Sequence, residues 1–412
     1  MQSLFCLHVY GQRQGKCGTM CSMVKTEELY YQDAYLKEFE GKVLSCEKGK
    51  GDSFLVVLDR TAFFPEQGGQ SSDIGTISGA VVTHVSITDG IITHVTDREL
   101  PVGECVKGTI DFDHRFSNMQ QHTGEHIFSG IVNSKYGFDN VGFHLGDSEV
   151  TMDYNGVLTD EDIRDIEFLV NRAIWENVEV KCEFPAKEIL DSLQYRSKKE
   201  LTGDVRIVTV TGYDTCACCA PHVARTGEIG LLKVVSCQNY KGGVRVSILC
   251  GKRALEYING QLQVVGELTG LLTTGYDRIV SSVKKLSDEN YTLKGELTDC
   301  REKLIGYELD SIDKNKENVF LKKESGLDGN LMRKVVNALI ETRSGYCGVF
   351  SGDDNAGYKY IIASKGEGKD LKGLQNMLRE EFGAKGGGSS AMVQGSMGPV
   401  NVADVIKKCE SF

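Results

Sequence analysis

The chain has 412 residues, 40% of them hydrophobic and 25% charged, the ordinary balance of a soluble globular protein, and its length suggests two to four domains. A net charge of −11 argues against binding nucleic acid over the whole surface. No apolar run approaches the roughly 18–20 residues of a bilayer span, and without a secretory signal the 14 cysteines read as reduced thiols, some of them metal ligands.

Residues 1–22 carry two basic and no acidic side chains and share little with the more regular sequence that begins at Met23. They are expected to be a disordered leader or an over-extended start, with a short targeting peptide as the rival. Residues 40–112 read as short strands separated by Gly and Asp, the pattern of a small barrel or open sheet. Within them lies LDRTAFFPEQGGQSSDIG, residues 58–75. Gly68 and Gly69 allow close backbone approach or positive φ. Thr61 offers a hydroxyl able to bond another small hydroxyl, although composition alone favours a β-turn with a capping Thr. From Gln120 a helix is predicted, placing His122, His126, Phe128 and Ile131 within reach of one another, with Gly137 as its stop. Strand-like GFHLGDSEVTMDY comes next, then an amphipathic helix over 159–178 capped by Thr159. Strands return at 205–212 and 230–250.

Residues 276–310 change character. Val283, Leu286, Asn290, Leu293, Leu297, Cys300 and Leu304 step by three and four, a heptad seam with one polar Asn. The seam is short for a free coiled coil and implies either an antiparallel helical arm or a dimer contact. Residues 327–412 read as a small α/β domain: helices at 330–343 and 370–382, strands at YCGVFSG and YKYIIAS, and a glycine-rich turn, GAKGGGSSAMVQGSMG. Residues 281–412 carry as many basic as acidic side chains, so the acidic excess lies in 1–280 and the neutral part is the better platform for a polyanion.

Four residues carry the chemical argument. His122 and His126, at i and i+4 on a predicted helix, project from one face. Cys218 and His222 repeat the spacing in YDTCACCAPHVARTGEIG. Either pair alone is commonly a solvated or core pair. Together, bracketing a domain-sized segment, they form an N/S set suited to zinc. Cys216 and Cys219 each remain an alternative to Cys218. The pattern is not HExxH, because Glu125 directly precedes His126, so a metalloprotease arrangement is not on offer.

TAFFPEQGGQSSDIG, QQHTGEHIFSG, GFHLG and CCAPHVARTGEIG, in that order, resemble the editing half of alanyl-tRNA synthetases and the free-standing AlaX-type editing proteins, over about residues 40–260. The AKGGGSSAMVQGSM segment after a helical arm is similar to the C-terminal domain of those synthetases, and the two matches together resemble the large AlaX class. The resemblance implies an α+β chain: a β-barrel domain at 23–112, a zinc-binding editing domain at 113–260, a helical arm at 261–325, and a glycine-rich tRNA-binding or oligomerisation domain at 326–412. It assigns one Zn2+ to His122, His126, Cys218 and His222, and hydroxyl recognition to Thr61, with Gly68, Gly69 and Gln70 against the substrate. Glu125 and His144 are candidates for positioning water or substrate. Two departures touch the site: the usual three-glycine turn is Gln67-Gly68-Gly69, and Glu125 stands where synthetases often carry Thr.

No segment resembles the ATP-binding motifs of a class II aminoacylation core. The implied activity is therefore cytoplasmic hydrolysis of serine, or glycine, from tRNA(Ala), without a membrane partner and with a homodimer contact through the arm or C-terminal domain. Two rivals come from other classes: a tRNA-binding or regulatory module with a structural zinc and no deacylase activity, and a zinc hydrolase of small esters or amides.

Overall fold

The computed structural model of the protein describes residues 25–146, 150–197, 204–324 and 326–412. The expectation for residues 1–22 falls outside them. The chain is a mixture of helices and sheets divided into two compact units, Met1–Glu267 and Leu268–Phe412.

Six strands of the first unit close into a barrel. Around the ring they run Glu38–Lys48, Phe54–Leu58, Ile91–Thr96, Ala80–Thr88, Gly75–Ile77 and Cys105–Ile110, every neighbour antiparallel. From Glu38 to Val43 exposed and buried residues alternate, as a strand with one face on a core requires. Phe39, Val43, Val56, Leu58, Val85 and Ile92 belong to the resulting core. Two connections are two-residue loops, Ser78–Gly79 and Asp89–Gly90, with positive φ at both positions. That twist matches the twist of the flanking strands.

The helix predicted from Gln120 begins eight residues earlier and runs Phe112–Tyr136. Asp111 caps it by accepting from the His114 N–H, and Gly137 ends it in the left-handed conformation. Its early start has no apolar signature because its anchor is polar. Arg115, in the first turn, is wholly buried beside Asp73. Its Nε donates to Asp73 Oδ1 at 2.9 Å, its Nη1 to Ala34 O at 2.9 Å and its Nη2 to Ala62 O at 2.6 Å. Asp73 also accepts from the Phe64 N–H at 2.5 Å, so one ion pair ties the helix to the TAFFPEQGGQSSD turn of the barrel. Five fixed guanidinium donors suit this task, which a lysine could not reproduce.

The helix packs against two antiparallel sheets. One orders Leu232–Tyr240, Gly243–Cys250, Val150–Tyr154 and Asn140–Leu145; the other Val180–Glu183, Ile207–Val210 and Asp214–Ala217. The helix expected at 159–178 is Asp160–Glu176, with Thr159 and Asp162 forming a capping box. Met119, Phe128, Ile166, Val170, Val246 and Ile248 lie in the shared core.

In the second unit the helix Ile279–Ser311 carries the heptad seam. Val283, Leu286, Leu293, Leu297 and Leu304 are all exposed on it. A five-stranded sheet comes after it, ordered Val319–Lys323, Cys347–Asp353, Gly357–Ala363, Met392–Met397 and Lys385–Gly388. Alternation along Gly357–Ala363 sends Tyr358, Tyr360 and Ile362 into one core and Ile361 and Ala363 into the other. Helices Leu371–Phe382 and Val402–Ser411 contribute to the first core, and Gly329–Glu341 to the second. The glycine-rich stretch expected as a turn is instead a pair of strands, Lys385–Gly388 on Met392–Met397. The first of the two is Lys-Gly-Gly-Gly and fully exposed, so side-chain patterning does not announce it. Among the described residues no helix is long and apolar enough to cross a membrane.

Replacing Arg115 by Met strands the buried Asp73 carboxylate. The expected loss is about 3–5 kcal/mol of unfolding free energy in urea, and Arg115→Met combined with Asp73→Leu should recover much of it.

Candidate metal centre

The helix Phe112–Tyr136 is buried from Asn118 to Val132 although Gln120, Gln121, His122, Thr123, Glu125 and His126 occupy that stretch. A helix that buries so many polar groups must bond them internally. His122 and His126 face Cys218 and His222, which sit on the loop after strand Asp214–Ala217. The four ligand atoms lie within 4.8 Å of one another.

Each imidazole is held at its Nδ1 by a different partner. His122 meets Gln70 Oε1 at 2.7 Å, His126 meets Asp214 Oδ2 at 3.0 Å, and His222 meets Thr123 Oγ1 at 3.0 Å. Thr123 gives its own proton to Met119 O, so its oxygen can only accept from His222. Asp214 is braced by Arg196 at 2.7 and 2.8 Å. Such partners leave Nε2 unprotonated and aim it inward. His122 Nε2 and His222 Nε2 stand 3.5 and 3.4 Å from Cys218 Sγ. A tetrahedral ion with zinc's usual bond lengths sets N and S roughly 3.5–3.6 Å apart, so these two N–S spacings match such an ion.

The surroundings act on the charges of the cluster unevenly. Burial opposes charge on His126, but the bond to Asp214 outweighs it and raises the imidazole above its ordinary pKa. Burial also opposes the Asp214 charge, and the bonds from His126 and Arg196 hold its carboxyl below the usual carboxylate range. Burial and then the neighbouring His126 and His122 push His222 well down.

The ligand loop is clasped by Arg206, whose Nη1 donates to Cys218 O at 3.0 Å and Ala220 O at 2.8 Å. Gly130 lets the backbone at Tyr213 approach the helix; a Cβ there would lie 2.4 Å from Tyr213 O. Sequence alone does not mark Arg206, Arg196, Asp214 or Thr123 as site residues. Asp214 and Thr123 act on rings 88 and 99 residues away, and Arg196 and Arg206 act on groups 18 and 12 to 14 residues on with no regular period, so spacing gives no signal. Of the two alternative thiols, Cys216 falls in a second grouping with His126 and Asp214, and Cys219 lines the cavity.

A cavity of about 620 Å3 opens over His122, His126 and Cys218, with His222 buried off its wall, and Gly68 and Gly69 form part of that wall. Both glycines have positive φ, and a Cβ on Gly69 would lie 2.6 Å from Phe143 O. The Leu145 N–H bonds Gly69 O at 2.7 Å, so the turn is docked on strand Asn140–Leu145 and delivers Gln70 to His122.

Besides Gln70, which stands behind the wall on His122, three expected site residues lie off it. Thr61 is fully buried in the barrel, off the cavity wall. His94 Nδ1 donates to Val56 O, so its Nε2 takes the Thr61 proton at 2.8 Å, while the Thr61 oxygen accepts from Phe63 N–H. The hydroxyl therefore has no proton left for a substrate. His144 is exposed and is not on the wall, whereas the ring of its neighbour Phe143 lies 4.8 Å from that of His122, tilted by 49°. Strand alternation sends adjacent side chains to opposite faces. Glu125 is buried behind the donors, where its Oε1 accepts from Ser129 at 2.7 Å and Asn140 at 2.6 Å. Its Oε2 is 3.9 Å from His126 Nε2.

Comparison with known proteins agrees with this geometry. The family model for the second additional domain of threonyl and alanyl tRNA synthetases matches residues 205–247, the stretch with Cys218 and His222. The model for class II (A) tRNA synthetases matches residues 12–114, which include the barrel. The alanyl-tRNA editing protein AlaX-L of Pyrococcus horikoshii is 28% identical over 90% of this chain and 94% of its own. The alanine–tRNA ligases of Ignicoccus hospitalis and Thermofilum pendens are 29% and 32% identical over 88% and 68% of this chain. The chain spans 40% and 32% of those two ligases.

Burial holds His94 neutral, with its pKa pushed down to about 4. The unfolded chain takes up this proton near pH 6.5, so stability rises with pH between those values. As pH falls from 6.5 toward 4, wild type should lose up to about 1.4 kcal/mol per pH unit from this group. In urea unfolding at pH 7 and pH 5, His94→Gln should show a smaller loss than wild type by about 2 kcal/mol.

Proposed function

We propose, from the premise that the chain belongs with the AlaX-type alanyl-tRNA editing proteins, that it hydrolyses the ester joining serine, or glycine, to tRNA(Ala) and depends on zinc to do so. The observation carrying this reading is the convergence of His122, His126, Cys218 and His222, the first three of them lining a cavity large enough for an aminoacyl ribose. Zinc held there would supply positive charge to polarise an ester carbonyl and acidify water.

The residues do the rest by position. Gln70, Asp214 and Thr123 keep the imidazoles in the ligating tautomer. Phe143 covers His122 and limits the water that can reach it. Glu125, held by Ser129 and Asn140, stands behind His126 and steadies it, while the proton of the attacking water leaves on the departing ribose hydroxyl. Gly68 and Gly69 present backbone to the aminoacyl group, with Gln70 behind them. Thr61 acts through the barrel, pinned to His94, instead of touching the substrate.

On this reading the barrel, 23–112, and the editing domain, 113–260, form the site. The arm, 261–325, and the last domain, 326–412, hold the tRNA or a second copy of the chain, and the exposed seam on Ile279–Ser311 is the surface for that copy. The protein works in the cytoplasm. The closed set of four ligands favours one rival, a tRNA-binding module with a structural zinc.

Deacylation of Ser-tRNA(Ala), Gly-tRNA(Ala) and Ala-tRNA(Ala) separates the two. Zinc-loaded wild type should release serine while the alanine ester survives, and Cys218→Ala should lose both its zinc and at least about 100-fold of the rate. An intact serine ester in the presence of zinc-loaded wild type would leave the binding module as the better reading.

A further inference from the structure

The bond between His122 and Gln70 joins two separate elements. His122 rides on the helix Phe112–Tyr136, and Gln70 on the turn docked against strand Asn140–Leu145, where it pairs with Leu145. The Gln70 side chain is buried, and its Nε2 has no partner among the described residues. Its amide is therefore steered by the one bond at Oε1, 2.7 Å from His122 Nδ1, and that bond depends on how far the strand stands from the helix. Asn140 ties the start of the strand to Glu125 and Ser129 on the helix. The end that carries the Gln70 turn is tied by Arg253. This residue lies in the first turn of the helix Gly251–Leu272. Its Nε donates to Ser117 Oγ at 2.8 Å and its Nη2 to Asn118 Oδ1 at 2.9 Å, about one turn before His122. Its Nη1 donates to Gly146 O at 2.8 Å, directly after the strand. The root of Arg253 is fixed as well: Gly251 has positive φ, and a Cβ there would lie 2.2 Å from Gln120 Oε1 on the same helix.

We propose that Arg253 is a positioning residue of the metal centre: by clamping Gly146 to Ser117 and Asn118 it keeps Gln70 within hydrogen-bonding range of His122 Nδ1, an inference that rests on the zinc reading above. Arg253 is neither one of the four donors nor on the cavity wall, so it acts through the spacing of helix and strand. Three oxygens from two elements call for a planar fork of donors, which a guanidinium has and an ammonium lacks. Asn118 is fully buried and its Nδ2 has no partner among the described residues, so Arg253 also fixes the orientation of that amide. Outer partners of this kind set the ring angle and basicity of a ligating histidine, and losing one typically weakens metal binding about 10- to 100-fold.

Zinc affinity of the full chain, measured by competition with a chromogenic chelator, tests the clamp in a double-mutant cycle. Gln70→Leu and Arg253→Met should each weaken zinc about 10-fold or more. The double variant should bind no more weakly than Gln70→Leu alone, because both changes remove the same bond. Arg253→Lys keeps the charge without the fork and should weaken zinc too; it carries the cycle if Arg253→Met does not fold. Asn171→Leu is the control for lost stability alone, since it breaks the paired bonds between Asn171 and the Leu232 backbone. It should lower the urea midpoint and leave zinc affinity as in wild type. Wild-type affinity in the Arg253 variants, losses that multiply in the double variant, or a loss in Asn171→Leu equal to that in Arg253→Met would overturn the proposal. Hydrolysis is not read in this experiment, so a wild type that shows this coupling and leaves Ser-tRNA(Ala) intact would sink the deacylase reading alone.

Discussion

Three imidazoles and a thiolate can share one small volume only if each ring keeps its proton on the outer nitrogen. The partners of the three rings meet that condition. The proton acceptors come from three different places: Gln70 from the barrel, Asp214 from the three-stranded sheet, and Thr123 from the helix itself. The centre is therefore assembled by tertiary packing, and the barrel is part of it. Arg115 and Asp73 lie at the joint, since Asp73 stands three residues beyond Gln70 and Arg115 seven before His122. This ion pair is wholly buried, and such pairs hold geometry at a cost in desolvation instead of adding much net stability.

The two glycines before Gln70 gain a meaning from this arrangement. Positive φ at both and the tight approach of Gly69 to Phe143 O let the turn lie flat on strand Asn140–Leu145. The turn contributes backbone to the cavity wall, and it also carries the acceptor that orients His122. One short motif thus links substrate cavity and ligand geometry.

Much of the fold is legible where the signal is local. The short strands separated by Gly and Asp, the Thr159 cap and the Gly137 stop each rest on neighbouring residues. The paired spacings of His122/His126 and Cys218/His222 also point to a cluster that the structure brings together. The features that escape depend on contacts distant in sequence. Thr61 looks available because its buried partner His94 lies on another strand. The chemistry of His144 suggests a role, but strand phase turns it away while Phe143 faces His122. Arg206, Arg196 and Asp214 look like ordinary surface charge, yet they clasp the ligand loop and brace His126.

The central claim is that these four named side chains hold one metal ion. X-ray absorption at the zinc edge of the purified full chain tests it most directly. The expected spectrum is one zinc per chain, with three nitrogens at about 2.0–2.1 Å and one sulfur at about 2.3 Å. A shell with two or more sulfurs, which would bring in Cys216 or Cys219, or a shell with none, would contradict it.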